Sequence, residues 1–417
     1  MPATPPLGRL SERSLIFVIG SVQFANILDF MMVMPLGPDF ARELGISTAH
    51  LGYIGGAYTA AAAVAGIIGS LWLERWDRRT ALVVATFGLM IGTALGGMVD
   101  SLEGLIAARV IAGFCGGPAT AIAMSIIADV VPAERRGKAL GSVMGAFAAA
   151  SVLGVPAGLE LARRGTWRTP FFAVAALAGV VAIAAWMLLP RMTGHLRREQ
   201  PATGLLTLLR APRVQLAALT TTVVMIGAFC LIPNIASYLQ LNLGFARERL
   251  GGLYLFGGVV SFFATRLAGR LVDRFGSFAV GSGGAAVLVG VVACGYLVAV
   301  PLIPVEALFL GFFLAMAFRN VPVQTVMTLV PGPNERAAFL SLQSAVQHVA
   351  ASLGAFASSQ MLRELPDHRL AGMPQVAALS IAMTLTLPPL LWALERSVRR
   401  QRSAAARTAV PATASDQ

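Results

Sequence analysis

The sequence predicts an all-α integral membrane protein whose twelve transmembrane helices form two six-helix halves. Three observations support this class: the composition, a series of long apolar runs, and a motif that recurs in the second half. The 417 residues are 56% hydrophobic and only 12% charged, and the mean hydropathy is +0.74. Soluble proteins carry about 25% charged residues. The composition therefore excludes a soluble enzyme, a disordered chain and a secreted disulfide scaffold.

The long apolar runs predict the individual spans. A helix needs about 20 apolar residues to cross the hydrocarbon core of a bilayer. The first run is too long for the apolar core of a signal peptide, so we interpret it as a span that is retained. Charge around 303–363 leaves the count of spans open by one. The predicted spans are 14–38, 48–73, 79–98, 103–130, 138–161, 169–190, 213–239, 250–271, 277–299, 303–328, 338–363 and 374–394.

The distribution of basic residues predicts the orientation. With the N-terminus in the cytoplasm, 21 of the 32 Lys and Arg residues fall on the cytoplasmic side, 8 on the outer side and 3 within spans. This bias follows the positive-inside rule. We therefore expect a multi-pass protein of the plasma membrane (the inner membrane in a Gram-negative cell) with both termini in the cytoplasm. The net charge of +12 then reflects topology and contact with the lipid bilayer, and no nucleic-acid partner is expected.

A polar stretch divides the chain into two halves. We predict an N-terminal half at 1–190, a cytoplasmic linker at 191–212, a C-terminal half at 213–398 and a disordered basic tail at 399–417. An acidic residue followed by Arg stands between the second and third span of each half, as Glu74-Arg75 and as Asp273-Arg274. Such a repeat is typical of transporters built from related halves.

These loops, with two further motifs, resemble the major facilitator superfamily over essentially the whole chain. The family pattern G-x-L-A-D-R-x-G-R-R is kept in the second copy at Gly269, Leu271, Asp273, Arg274 and Gly276. The first copy keeps Arg75, Arg78 and Arg79 but has Asp77 where the pattern has glycine. Span 4 is similar to the family's R-x-x-x-G and D-x-x-P-x-x-x-R-G patterns, at Arg109 to Gly113 and at Asp129 to Gly137.

The resemblance implies a monomeric secondary active transporter for a small molecule, with twelve helices around a central cavity. Gly154, Pro156 and Gly158 are similar to the G-x-P-x-G signature of proton-driven exporters and would allow a bend and close approach in span 5. The leading hypothesis is therefore proton-coupled efflux of small organic or drug-like molecules. A proton-coupled uptake symporter for a metabolite or sugar remains the alternative, and a non-transporting scaffold is a third class.

Enzymatic function is not expected. The sequence has no HExxH, G-x-S-x-G or GxxxxGK[ST] motif. Cys115, Cys230 and Cys294 lie in apolar segments without the spacing of a metal site, so we expect neither a metal nor a cofactor. No ATP-binding motif is present, so an ion gradient or the substrate's own gradient would drive transport.

Ionisable residues within spans are costly and predict the coupling site. Asp29 lies roughly 22 Å from the cytoplasmic end of span 1, and Arg109 roughly 9 Å from the outer end of span 4, at 1.5 Å per residue. The two therefore share the outer half of the bilayer and could pair. We expect Asp29 to bind the coupling proton in competition with Arg109 or a cationic substrate. The alternatives are a structural ion pair and a carboxylate hydrated at the outer mouth.

Further residues are candidates for the cavity and for a cytoplasmic gate. Arg319 is expected to bind an anionic substrate group or close the inner gate, or else to extend to the cytoplasmic surface. Helix packing is the alternative role for each of the other cavity candidates. The cavity candidates are Gln23, Asn26, Met31, Tyr58, Asn234, Tyr238, Arg319, Asn320, Gln324 and Gln343. The gate candidates, which could equally be solvated surface charge, are Glu74, Arg75, Arg79, Asp129, Asp273 and Arg274.

Overall fold

A computed structural model describes residues 11–72, 76–193, 208–297, 303–332 and 335–408. The predicted all-α class is confirmed, because nearly all of these residues are helical. The described part also contains a short antiparallel ladder, in which β1 (Arg363–Glu364) pairs with β2 (Leu370–Ala371). We number the long helices α1–α12 in chain order.

The N-terminal half contains α1 to α6. Ser11 and Ser101 accept hydrogen bonds from the backbone N–H groups of Ser14 and Gly104, and so cap the starts of α1 and α4. The fifth helix is interrupted by a π-helical turn at Ala150–Gly154. The helices are α1 (Glu12–Val33), α2 (Leu51–Trp72), α3 (Arg78–Gly96), α4 (Leu102–Val130), α5 (Ala133–Ala149 and Val155–Arg164) and α6 (Arg168–Leu188).

The C-terminal half contains α7 to α12. The seventh helix is broken after Phe229 and continues through short helical turns to Asn242. The helices are α7 (Pro212–Phe229), α8 (Arg247–Phe275), α9 (Ser277–Val292), α10 (Val305–Met327), α11 (Arg336–Met361) and α12 (Met373–Thr408). The last of these continues into the segment predicted to be a disordered tail, while most of the predicted linker lies outside the described residues.

Eleven helical segments among the described residues are long and apolar enough to cross a membrane. The remaining predicted span corresponds to α11, which is 26 residues long but less apolar. Its sequence carries Gln343, Gln347 and His348 in addition to several serines. These polar side chains explain why the apolar pattern around this helix was ambiguous.

The two halves meet along two pairs of helices, α2 with α11 and α5 with α8. Glycines allow both approaches. A Cβ atom on Gly52 would collide with the carbonyl oxygen of Ala355, and one on Gly258 would lie 2.8 Å from the Cα atom of Val152. Small residues at these crossings therefore bring the backbones of the two halves into direct contact.

The buried cores show where the halves are joined. We call the end where α1 begins and α12 ends the terminal end, and the opposite end the far end. At the far end, one apolar core includes side chains of both halves, among them Leu28 and Phe40 with Leu231 and Leu253. At the terminal end, the described buried residues form two separate cores, one in each half. Among the described residues, the halves therefore share one core at the far end and none at the terminal end, and we call this separation the opening between the halves.

Candidate functional site

Asp29 is the buried acid at the centre of the N-terminal half. Its carboxylate is fully buried and accepts hydrogen bonds from both terminal nitrogens of Arg109, at 3.0 and 3.1 Å. Thr93 of α3 donates a third hydrogen bond at 2.7 Å. A charge-assisted, bidentate pair is among the stronger hydrogen-bonded arrangements in proteins. Asp29 therefore links α1, α3 and α4 through one carboxylate.

Aromatic rings complete the surroundings of Arg109. Its guanidinium carbon lies 5.7 Å from the ring centroid of Tyr58 and 5.6 Å from that of Phe171. Rings at this distance attract a cation through their π-face. The Nε atom of Arg109 is buried and has no hydrogen-bond partner among the described residues. The pair is thus enclosed by protein within the N-terminal half in this conformation.

A second polar network lies one helical turn from Asp29 on α1. Asn26 donates hydrogen bonds to the carbonyl oxygen of Gly116 and to the hydroxyl of Thr120, both at 2.8 Å. It accepts a hydrogen bond from the hydroxyl of Tyr58 at 2.7 Å. Because Tyr58 touches both Asn26 and Arg109, it connects this network to the buried ion pair.

Several cavity candidates have their polar atoms engaged in helix packing. Asn234 donates to the hydroxyl of Ser358 at 3.0 Å, and Tyr238 donates to the carbonyl oxygen of Gly295 at 3.1 Å. Gln343 donates to the hydroxyl of Thr221 at 2.5 Å. In this conformation these three residues and Asn26 hold helices together rather than line the opening between the halves.

The remaining candidates of the N-terminal half have fewer partners. Gln23 is buried, and its Oε1 atom lacks a partner among the described residues. Met31 is half-buried, and its sulfur accepts a hydrogen bond from Ser151 of α5 at 3.5 Å. Met31 therefore joins α1 to the π-helical turn of α5.

Arg319 is the second arginine that the structure buries in the membrane-spanning region. It does not extend to the cytoplasmic surface, because only 1% of its area is exposed. Its Nε atom donates to the side-chain oxygen of Asn320 at 3.1 Å. Asn320 is half-buried, and Gln324 one turn later is exposed, so polar groups of α10 reach the surface beside this arginine.

The gate candidates are not assembled in this conformation. Glu74 and Arg75 lie outside the described residues. Asp129 forms an ion pair with Arg78, with Nε of the arginine 3.6 Å from Oδ2 of the aspartate. Arg79 instead donates to the carbonyl oxygen of Leu189 and lies over the ring of Trp186, because successive positions on α3 point toward different neighbours.

The gate candidates of the second half show a similar absence of pairing. Neither Asp273 nor Arg274 has an ion-pair partner among the residues that the structure describes. The guanidinium carbon of Arg274 lies 5.2 Å from the ring centroid of Phe275.

The bend residues lie at the π-helical turn of α5. The turn ends at Gly154, and Pro156 follows at the start of the next helical segment. A Cβ atom on Gly154 would lie 2.6 Å from the Cδ1 atom of Leu28, so α5 packs closely on α1 here. The same helix contacts α8, and the irregular turn therefore lies between the two halves.

The far-end closure contains charged residues that the sequence reasoning missed. The single N–H at Nε of Arg247 in α8 is shared between both carboxylate oxygens of Asp39, each at 2.8 Å, and Nη2 also donates to Asp39. The backbone N–H of Thr48 donates to Glu364 at 2.7 Å, and Gln360 donates to the hydroxyl of Tyr53. Each contact joins opposite halves. No motif identifies these residues, and contacts between positions 208 to 316 residues apart cannot be predicted without the fold.

These features define a multi-pass membrane transporter made of two six-helix halves with an opening between them. A model of the Major Facilitator Superfamily matches residues 19–355, so the chain belongs to that family. The resemblance identified from the loop motifs is thereby confirmed.

Relatives and solved structures agree with this assignment. A chloramphenicol resistance protein of Streptomyces lividans is 26% identical over 333 residues, which is 79% of this chain and 84% of that protein. A chloramphenicol efflux pump of Mycobacterium tuberculosis is 26% identical over 58% of this chain and 59% of its own length. A bacterial homologue of the human lysosomal transporter Spinster, inward-facing and unoccupied, has a TM-score of 0.75 at 18% identity, over 94% of this chain and 99% of that one. A D-xylose–proton symporter has a TM-score of 0.71 at 18% identity, over 91% and 96%.

Proposed function

We propose that the protein exports small organic or drug-like molecules in exchange for protons by alternating access. It would act as a monomer in the plasma membrane, with both termini in the cytoplasm, so that the open terminal end faces inward. The observation that carries the proposal is the buried Asp29–Arg109 pair. The similarity to a chloramphenicol resistance protein and to a chloramphenicol efflux pump supports export and a drug-like substrate.

The chemistry of the pair suits proton binding. A proton on Asp29 removes the charge that holds Arg109, and a buried ion that loses its partner is costly. Arg109 would then move or recruit a new partner, while the rings of Tyr58 and Phe171 lessen the cost of its free charge. Protonation is thereby coupled to a rearrangement of the helices that Asp29 connects.

A chain of contacts connects this ion pair to the opening between the halves. Tyr58 lies over Arg109 and donates to Asn26, which in turn bonds α4 at Gly116 and Thr120. Movement of Arg109 would therefore be transmitted to α1, α2 and α4 together. Since α2 also forms the contact with α11, the ion pair can bias the contact between the halves.

The proposal is tested with the full-length protein in inside-out vesicles that carry an imposed proton gradient. Chloramphenicol is the probe, and proton release is followed with a pH-sensitive dye. We expect chloramphenicol to accumulate in the vesicles and to release protons, and we expect D29N to lose both effects. The matched control is E160Q, which alters an exposed acid of α5 bonded only to Arg163 and Arg164 among the described residues.

Two outcomes contradict the proposal. Full gradient-driven transport by D29N would remove Asp29 from the coupling step. Xylose accumulation driven by an inward proton gradient, without chloramphenicol transport, would instead favour the uptake symporter.

A further inference from the structure

The guanidinium of Arg319 lacks the partners that a buried cation normally has. Its hydrogen bond from Nε to the neutral side chain of Asn320 is the one that the described structure provides. The terminal atom Nη2 is buried without any partner among the described residues. A guanidinium has five N–H donors, so most of its bonding capacity is unused.

The buried arginines of the two halves differ in their ion-pair partners. Arg109 has the carboxylate of Asp29 at 3.0 Å, whereas no carboxylate among the described residues pairs with Arg319. The described acids of the C-terminal half lie near the ends of the spans or in connections; they are Glu248, Asp273, Glu306, Glu335, Glu364, Asp367 and Glu395. The interior of the C-terminal half therefore carries one uncompensated positive charge.

A polar stripe on α10 connects this charge to the opening. Asn320 and Gln324 share one face of the helix at four-residue spacing, and Thr328 continues this spacing at the residue that caps its end. Asn320 is half-buried, and the other two are exposed. Because α10 ends at Met327, Gln324 and Thr328 lie at the terminal end, where water can satisfy their polar groups, and Asn320 lies one turn deeper. Because Nε of Arg319 bonds to Asn320, the guanidinium lies directly behind the stripe.

We propose that Arg319 is the anion-recognition group of the C-terminal half and takes an oxyanion (a carboxylate, phosphate or sulfonate) carried by the transported molecule. The proposal rests on the proposed transport function for the source of the anion. Planar, forked N–H groups match the two oxygens of such a ligand. Asn320 holds Nε and leaves the terminal nitrogens for the ligand. The N-terminal half would then bind the proton and the C-terminal half the anionic group of the substrate.

The test measures thermal unfolding of the purified full-length protein at constant ionic strength. Benzoate is the anionic probe, and benzamide is its neutral counterpart of the same shape. We expect benzoate to raise the Tm of the wild type with increasing concentration and benzamide to leave it unchanged. R319Q should lose the benzoate shift, and R319K should keep only a small part of it. The matched control is R266Q, because Arg266 is exposed and lies over the ring of Phe262.

The same experiment separates binding from a structural role. Without ligand, R319Q should unfold at the wild-type Tm or above it, because the variant removes an unpaired buried cation. A folded R319Q with a lower Tm, or an unchanged benzoate shift in R319Q, would overturn the proposal. If R319Q does not fold, R319K is used in its place, and a benzoate shift in R319K as large as that of the wild type would overturn the proposal.

Inorganic phosphate distinguishes the source of the oxyanion. Stabilisation by phosphate that depends on Arg319, with none by benzoate, would assign the site to a free anion and overturn the substrate-borne assignment. None of these measurements needs a proton gradient. The anion site and the proposed efflux can therefore fail independently of each other.

Discussion

The carboxylate of Asp39 accepts hydrogen bonds from Nε of Arg247 at 2.8 Å, and the two residues belong to opposite halves of the molecule. Both side chains are about four-fifths buried, with 18% and 19% of their areas exposed. Partial burial weakens screening by water and salt. This pair is therefore suited to hold the far end shut.

Breaking the pair should favour opening of the far end. We expect D39N or R247Q to weaken closure by ~1.5 kcal/mol, the lower end of the range for a hydrogen bond to a charged group. Such a change shifts the ratio of closed to open molecules by roughly tenfold. Spin labels placed on the two halves at the far end and measured by pulsed electron paramagnetic resonance should then be farther apart than in the wild type. R249Q is the control, since Arg249 pairs with Glu306 of its own half. An equal increase in the label distance in R249Q would contradict the role of the Asp39–Arg247 pair in closing the far end.

Closure at the far end should also depend on pH through Glu364. Partial burial opposes ionisation, but hydrogen bonds from His368 and from the backbone of Thr48 outweigh it and lower the pKa of Glu364. A carboxyl group with a lowered pKa stabilises the closed form above its usual pKa of about 4.3, and this contribution is lost as pH falls through the lowered value.

The distance between the spin labels, measured as a function of pH, checks this dependence. The wild type should open at the far end below about pH 4, because protonated Glu364 no longer accepts hydrogen bonds as an anion. E364Q should be more open at neutral pH and less sensitive to acid. D367N is the control, since Asp367 pairs with Arg369 within its own loop. If the label distance depends on pH in E364Q as it does in the wild type, the role of Glu364 is disproved.

The buried ion pair should show strong coupling in stability. Removing Arg109 alone leaves Asp29 buried without its partner, so we expect R109Q to lower the free energy of unfolding by ~3–5 kcal/mol. The double variant D29N/R109Q should recover part of that loss. Chemical unfolding in detergent micelles measures D29N, R109Q and the double variant. Additive losses in the double variant would show that the two side chains do not act as a pair.

Loss of the Thr93 hydroxyl provides a milder companion test. T93V removes one hydrogen bond to the Asp29 carboxylate and should lower the free energy of unfolding by ~1.5–3 kcal/mol. The ion pair itself remains in this variant, so proton-coupled transport should persist at a reduced rate. A loss as large as that of R109Q would assign the main support of Asp29 to Thr93.

Gly113 of the Arg109–Gly113 motif should be required for packing. A Cβ atom here would collide with the carbonyl oxygen of Tyr58, and neither backbone can yield easily. We expect G113A to separate α2 from α4 and to reduce stability by ~1–3 kcal/mol, as overpacking does. G20A on α1 is the control, because a Cβ atom at Gly20 meets nothing within 4 Å. Wild-type stability of G113A, measured by thermal unfolding, would rule out this packing role.

The sequence by itself determined the fold class and the positions of the helices. A bilayer demands long apolar helices whatever their neighbours, so local composition was sufficient to identify them. The acid–Arg loops and the Arg109–Gly113 motif identified the family. The estimated depths of Asp29 and Arg109 in the bilayer were similar, which indicated that the two side chains could pair. The helical pattern was least clear at α11, where polar side chains interrupt the apolar residues.

Only the tertiary structure decided how these residues are used. It joined the halves at the far end through Asp39 and Arg247, paired Asp129 with Arg78, and buried Arg319 without a carboxylate. It also directed Asn234, Tyr238 and Gln343 into helix packing. The reason is physical: the direction of a side chain and its partner depend on helix rotation and on contacts between distant segments, and neither is encoded in local composition.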